Sequence, residues 1–192
     1  KVMAPYCYRC PFNRAKPGRE DARKARKCKW ECVGKVERGL KRCKYAGFVV
    51  EPLIQGAAGM IAQPEGWLTR VSEMVRMNGA QLIADEVMTG FGRTGKFLAC
   101  QVEIVKPDFL CLAKGMTGGY LPMAATLTTQ EVFDAFLGDY EEFKAFFHGH
   151  SYTGNQLGAS AALASLDILN TAVCTQTRRK LATCLRRELE TL

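Results

Sequence analysis

Two short apolar runs each deliver a chemically active side chain at their carboxyl end. Gln81-Leu82-Ile83-Ala84 leads into Asp85, and Asp108-Phe109-Leu110-Cys111-Leu112-Ala113 leads into Lys114. A glycine-rich loop separates them. Helical spacing surrounds the runs: after Pro64-Glu65-Gly66-Trp67, the apolar residues Leu68, Val71, Met74 and Val75 recur one turn apart until Asn78-Gly79 stops the pattern. Strands alternating with helices call for an α/β fold with a mostly parallel sheet. Such sheets bind ligands outside the carboxyl ends of their strands, which is where Asp85 and Lys114 fall.

The rest of the chain fits the same scheme. A helix is expected over 30–42, then an apolar strand over 46–51 that Pro52 ends. Further strands are expected at 108–112 and 123–127, and a short helix over 130–136. The Ala- and Leu-rich stretch 157–169 predicts one long helix, and 175–190 a second, amphipathic one. Pro5, Pro11, Pro17 and Gly18 break up residues 1–27, where an exposed excursion is expected. The resulting division is 1–45, a basic Cys-rich excursion and helix; 46–155, a partial ligand-binding domain; and 156–192, helices leading out of it.

An amine and a carboxylate on one sheet edge suit pyridoxal 5'-phosphate (PLP). A lysine can hold the cofactor aldehyde and later move the substrate proton. An aspartate near the pyridine nitrogen keeps the ring protonated and able to accept electrons. Spacing alone leaves a plainer reading open, and favours it: Asp85 as a strand-end turn cap and Lys114 as a surface lysine.

Longer stretches of wording add a resemblance. Ala84-Asp85-Glu86-Val87, Gly90-Phe91-Gly92-Arg93-Thr94-Gly95, Pro107-Asp108 and Ala113-Lys114-Gly115 with Gly118-Gly119 resemble the cofactor segment of class III (fold type I) PLP-dependent aminotransferases. Val50 to Met60, Leu121 to Thr129 and Phe147 to Asn155 are similar to the branch of that family that works in biotin synthesis. The resemblance implies a partial fold type I large domain in a chain less than half the family's usual length. It implies Lys114 and Asp85 as catalytic and cofactor-binding residues. Ser151 would hold the cofactor phosphate of a neighbouring subunit in a homodimer, and Arg93, Glu51 and Gly149 would lie at the substrate. The substrates implied are 8-amino-7-oxononanoate and an amino donor, S-adenosylmethionine or lysine, giving 7,8-diaminononanoate. Another class III ω-aminotransferase is the nearest alternative.

Composition neither opposes this reading nor singles it out. The 192 residues are 47% hydrophobic and 24% charged, ordinary for a globular protein. The net charge of +8 concentrates in residues 1–44, which hold about 15 basic and 4 acidic side chains. Such a patch could attract nucleic acid, but interleaved aromatics and a named nucleic-acid fold are missing, so a solvated surface is the better reading. Nine cysteines, an odd number, with no signal peptide and no apolar run near membrane-spanning length, point to a reducing cytoplasm and away from a membrane.

Three motifs invite other chemistry. Cys7-x2-Cys10 followed by Cys28-x3-Cys32 has zinc-like spacing, set against a plain structural loop. Cys100, Cys111, Cys174 and Cys184 sit in apolar patterns and are expected to be small buried hydrophobes. Gly90 to Gly95 spells a dinucleotide fingerprint but lacks a suitable acid and a following long helix. His148-Gly149-His150 offers two metal ligands, too few for a zinc site, so no metal is assigned.

Overall fold

The computed structural model describes residues 1–13, 23–24 and 28–190. Its centre is a four-stranded sheet of β1 (Gly47–Val50), β4 (Gln81–Asp85), β5 (Phe109–Leu112) and β6 (Ala125–Thr128), in the order β1-β4-β5-β6. The first three strands run parallel and β6 runs antiparallel to β5. A small antiparallel pair, β2 (Ile54–Gln55) and β3 (Ile61–Ala62), lies between β1 and the helix α2 (Trp67–Met77). The pair was not legible in the sequence. Its turn is held by Gln63, a fully buried amide that accepts the Leu53 N–H at 3.0 Å and donates to the Glu51 carbonyl at 2.6 Å.

One face of the sheet is covered. The helix α1 (Glu31–Arg42) sends Cys32, Val33, Val36 and Leu40 inward, and α2 sends Trp67, Leu68, Val71 and Val75. Both stripes repeat at helical intervals, as a surface helix against a core requires. They pack with Val50, Leu82 and Ala84 in one cluster. Fully burying a side chain of this size contributes about 1.5–3 kcal/mol, so this cluster dominates the fold's stability. The opposite face is more open: Val49, between inward Phe48 and Val50, is 65% exposed.

Residues 1–13 are mostly exposed, yet a few of them anchor the segment. Met3 packs on the main core, Pro5 is fully buried, and a β-carbon on Gly39 of α1 would stand 3.6 Å from Val2. Prolines prevent a helix there without preventing an extended segment from lying along one. Residues 14–22 and 25–27, which carry five of the 15 basic side chains in 1–44, are outside the described residues.

After β6 come a short helix α3 (Gln130–Asp134) and two longer ones, α4 (Gln156–Leu169) and α5 (Ala172–Glu190). Helix α4 packs Ala162 against Phe91, Leu112 and Met116 in a second cluster. None of the described residues of α5 is buried. This overturns one expectation: Cys184 is exposed, because among the described residues nothing covers the apolar side of α5, whereas Cys100 is buried as expected. Cys111 and Cys174 are half-buried.

Candidate active site

Register places three candidate residues along one edge. Val50 pairs with Ala84, so Glu51 follows β1 where Asp85 ends β4. Asp85 in turn pairs with Cys111, and Lys114 comes three residues beyond Cys111, just past the end of β5. Because β1, β4 and β5 are parallel, Glu51, Asp85 and Lys114 share the carboxyl edge of the sheet, in that order.

Their surroundings differ. Asp85 is half-buried, and its Oδ1 accepts the Val87 N–H at 3.1 Å. The turn-cap reading is therefore realised by one oxygen, while Oδ2 has no hydrogen-bond partner among the described residues. Lys114 leaves β5 with φ 45°, opening a 3-10 turn over Lys114–Thr117. Left-handed backbone is unusual for a residue with a β-carbon. The Lys114 side chain is exposed and makes no ion pair among the described residues. Glu51 is committed to its loop: Oε2 accepts the Gly56 N–H at 2.9 Å and Oε1 the Ala57 N–H at 3.3 Å.

The remaining candidates are not drawn to this edge by hydrogen bonds. Arg93 is exposed on the glycine-rich loop. Gly149 and Ser151 are exposed in a segment whose hydrogen bonds are all local, such as His150 N–H to Thr153 Oγ1 at 2.9 Å and Thr153 N–H to the His150 carbonyl at 2.9 Å. The glycine-rich loop is followed by a four-residue 3-10 turn, Ala99–Val102, which is too short to cradle a dinucleotide as a helix would.

Sequence reasoning missed the acid that organises this region. Glu86 is fully buried, and its carboxylate accepts the Ala99 N–H at 2.7 Å, the Cys100 N–H at 2.8 Å and the Thr89 hydroxyl at 3.3 Å. The signal was present in the alternation: Leu82 and Ala84 point into the core, and the same period carries Glu86 inward. Its charge also acts on Cys100, whose thiol is pushed well up by burial and then by Glu86.

The cysteine motif is gathered but not assembled as a metal site. Burial, followed by Cys28, Cys32 and Cys10, raises the Cys7 thiol to about 11. Burial and then Cys28 raise Cys32. Among the described residues no group of three or more His, Cys, Asp or Glu side chains is arranged to hold a metal ion.

The whole sequence, residues 1–192, matches the family model described as aminotransferase class-III. The chain belongs to the class-III aminotransferases. It is 52% identical over 170 residues to the adenosylmethionine-8-amino-7-oxononanoate aminotransferase of Geobacter sulfurreducens, covering 88% of this chain and 36% of that protein. The crystal structure of the Methanocaldococcus jannaschii protein of the same name is similar with a TM-score of 0.71 and 45% identity, over 77% of this chain and 35% of that one. A Bacillus anthracis aminotransferase structure reaches a TM-score of 0.81 at 34% identity, over 96% of this chain and 39% of that one. This class-III chain thus spans about a third of the length of its relatives.

Class-III aminotransferases are PLP-dependent. The residues present fit that cofactor: a carboxylate with one oxygen uncommitted among the described residues, and a primary amine that pairs with none of them, stand at the ends of neighbouring parallel strands. No single described helix is long and apolar enough to cross a membrane; α4 and α5 reach that length together but meet at 70°.

Proposed function

We propose that this chain is part of an aminotransferase that uses PLP to pass an amino group to 8-amino-7-oxononanoate, giving 7,8-diaminononanoate for biotin. The donor is S-adenosylmethionine or lysine. The observation that carries the reading is the placement of Asp85 and Lys114 on neighbouring strand ends, together with relatives bearing that enzyme's name. When bound, PLP supplies the electron sink that allows a proton to leave the carbon bearing the amino group.

The residues divide the remaining work. Asp85 would hold the ring N–H through the oxygen its turn does not use and keep that proton in place. Lys114 would hold the cofactor at its aldehyde carbon, and its Nζ, once freed by the donor amine, would act as the base and then the acid that moves the proton from the donor's carbon. Arg93 and Gly149 contact the substrate, with Glu51 contributing through lone pairs its loop does not use. Ser151 gives its hydroxyl to a phosphate oxygen across the interface of a homodimer. Residues 46–155 form the cofactor-binding part, with 1–45 as a basic, Cys-rich excursion and helix and 156–192 leading toward a further domain. We place the protein in the cytoplasm, where nine free cysteines remain reduced.

The test is to add PLP, look for a visible absorption band, reduce with borohydride and map the labelled peptide. Label on Lys114, lost in Lys114→Ala, supports the reading. Label spread over other lysines, or none, defeats it for this chain. Assay of the protein with 8-amino-7-oxononanoate against 4-aminobutyrate and ornithine separates the biotin enzyme from another class III ω-aminotransferase.

A further inference from the structure

Glu86 and Lys114 follow different strands, yet one loop connects their environments. The carboxylate of Glu86 gathers three donors from its own loop: the N–H groups of Ala99 and Cys100 at the far end, and the Thr89 hydroxyl. Its backbone carbonyl also accepts the Gly90 N–H at 2.9 Å. Residues 86 and 100 are thereby tied into a closed loop by a single buried side chain. At the loop's centre, Phe91 takes a left-handed φ of 58° and is 9% exposed. Its ring meets Phe97 edge-on, with centroids 5.6 Å apart.

Phe91 presses directly on the residue after Lys114. A β-carbon on Gly115 would stand 3.0 Å from Phe91 Cβ and 3.1 Å from the Phe91 ring, so any side chain there would have to push Phe91 aside by a few tenths of an ångström. From the other side, Ser165 of α4 donates its hydroxyl to the Gly115 carbonyl at 3.3 Å. Lys114 has strained backbone of its own, which persists only where neighbours hold it. Phe91 and Ser165 are those neighbours.

We infer that Glu86 is a positioning residue for Lys114: its buried carboxylate closes the 86–100 loop, and the closed loop seats Phe91 on Gly115, fixing the backbone from which the Lys114 amine projects. The inference rests on the role proposed above for Lys114. A carboxylate suits the task because three donors converge on it from two stretches of backbone. Glutamine at this position offers one acceptor oxygen and turns an amide N–H toward the other donors, so it satisfies only part of the set. Alanine leaves the Ala99 and Cys100 N–H groups buried without a partner.

Two readouts test it, and one needs no cofactor. In the protein alone, hydrogen exchange is followed at Ala99 and Cys100 and, separately, over 115–118, where the Met116 and Gly118 N–H groups are bonded to Ala113 and Gly115. Glu86→Ala should speed exchange about tenfold at both places, as expected from losing bonds to a charged acceptor. Phe91→Leu should speed it over 115–118 while leaving Ala99 and Cys100 protected. It also serves where Glu86→Ala fails to fold. In the second readout, the rate at which PLP and borohydride label Lys114 should fall about tenfold in Glu86→Ala and less in Glu86→Gln, with the pH profile of labelling displaced because the amine sits differently.

Three results overturn the inference: faster exchange confined to Ala99 and Cys100 in Glu86→Ala, unchanged exchange over 115–118 in Phe91→Leu, or wild-type labelling and pH profile at Lys114 in the Glu86 variants. Failure of the unmodified protein to label at Lys114 sinks the proposed function instead, and the exchange measurements then still decide whether Glu86 holds the Lys114 backbone.

Discussion

Asp108 reaches across from the start of β5 to the Leu82 N–H on β4, with Oδ2 at 2.7 Å, while its own N–H donates to the Leu82 carbonyl at 2.9 Å. Its carbonyl also accepts the Thr128 hydroxyl at 3.0 Å, so one residue ties β4, β5 and β6 together. That clamp sets the register that pairs Asp85 with Cys111 and brings Lys114 to the same edge. Asp108→Ala should cost about 1.5–3 kcal/mol, the usual loss for a hydrogen bond to a charged acceptor. Asp108→Asn, which keeps one acceptor, should cost about half of that. Urea unfolding checks both: the midpoint should fall with the slope unchanged, and an unmoved midpoint in Asp108→Ala would remove the clamp.

A distant acid caps α2. Gly66 stands at the helix start with no side chain to offer, and Glu103 supplies the missing acceptor. Its carboxylate takes the Gly66 N–H at 3.1 Å, the Thr69 N–H at 3.0 Å and the Thr69 hydroxyl at 3.1 Å, and pairs with Arg23. The Glu103 side chain is only 6% exposed. Glu103→Ala should therefore cost about 3 kcal/mol, since it strands helix N–H groups and removes the carboxylate paired with the Arg23 guanidinium. By contrast the solvent-facing pair Glu37 and Lys41 on α1 should be silent: Lys41→Ala should unfold at the wild-type urea concentration. Equal effects from the two changes would contradict this ranking.

Most elements were legible because each carried its period and its stop signal. Leu68, Val71 and Val75 marked the inner stripe of α2, Asn78-Gly79 its end, and the Asp85 and Lys114 runs were read as strands on one edge. The polar ties were not. Glu86, Glu103, Asp108 and Gln63 act through partners 10 to 80 residues away in sequence, and nothing local distinguishes such an acid or amide from a solvated one. Glu86 alone left a trace, in the alternation that carries it inward. The exposure of Cys184 was misread for a related reason: an apolar pattern on α5 identifies a face that could be covered, not what covers it.

Alkaline pH should weaken the fold through its thiols. Cys7, Cys32 and Cys100 are all raised above the ordinary thiol value of 9.0, Cys7 to about 11, with burial the first cause in each. Below pH 9 these thiols are neutral in both folded and unfolded chains and contribute no difference. Above it the unfolded chain loses protons that the folded chain keeps, so stability falls as pH rises from 9 through 11. Unfolding midpoints measured from pH 7 to 10.5 should be flat at first and then decline, and Cys100→Ala should soften the decline. The same ordering governs alkylation at pH 8: exposed Cys43 and Cys184 should react first, with Cys100 protected until unfolding. Early labelling of Cys100 would refute the assignment.

The aromatic segment before Ser151 carries the last prediction. Phe143, Phe146 and Phe147 are 77%, 68% and 83% exposed, and Tyr152 is 76% exposed. Phe146 lies 5.4 Å from Phe136 and 5.4 Å from His148, so the side chains cluster without being covered. Exposed apolar groups gathered in this way mark an association surface more often than free solvent contact. The homodimer proposed for Ser151 would use this stretch of chain. Sedimentation of the wild type should then show self-association that strengthens with concentration, and Phe147→Glu should shift it to monomer by placing a charge at the contact. The same change should lower PLP retention, since Ser151 would no longer reach the neighbouring subunit's phosphate. A wild type that stays monomeric at high protein concentration yet binds PLP would separate the cofactor site from any such interface.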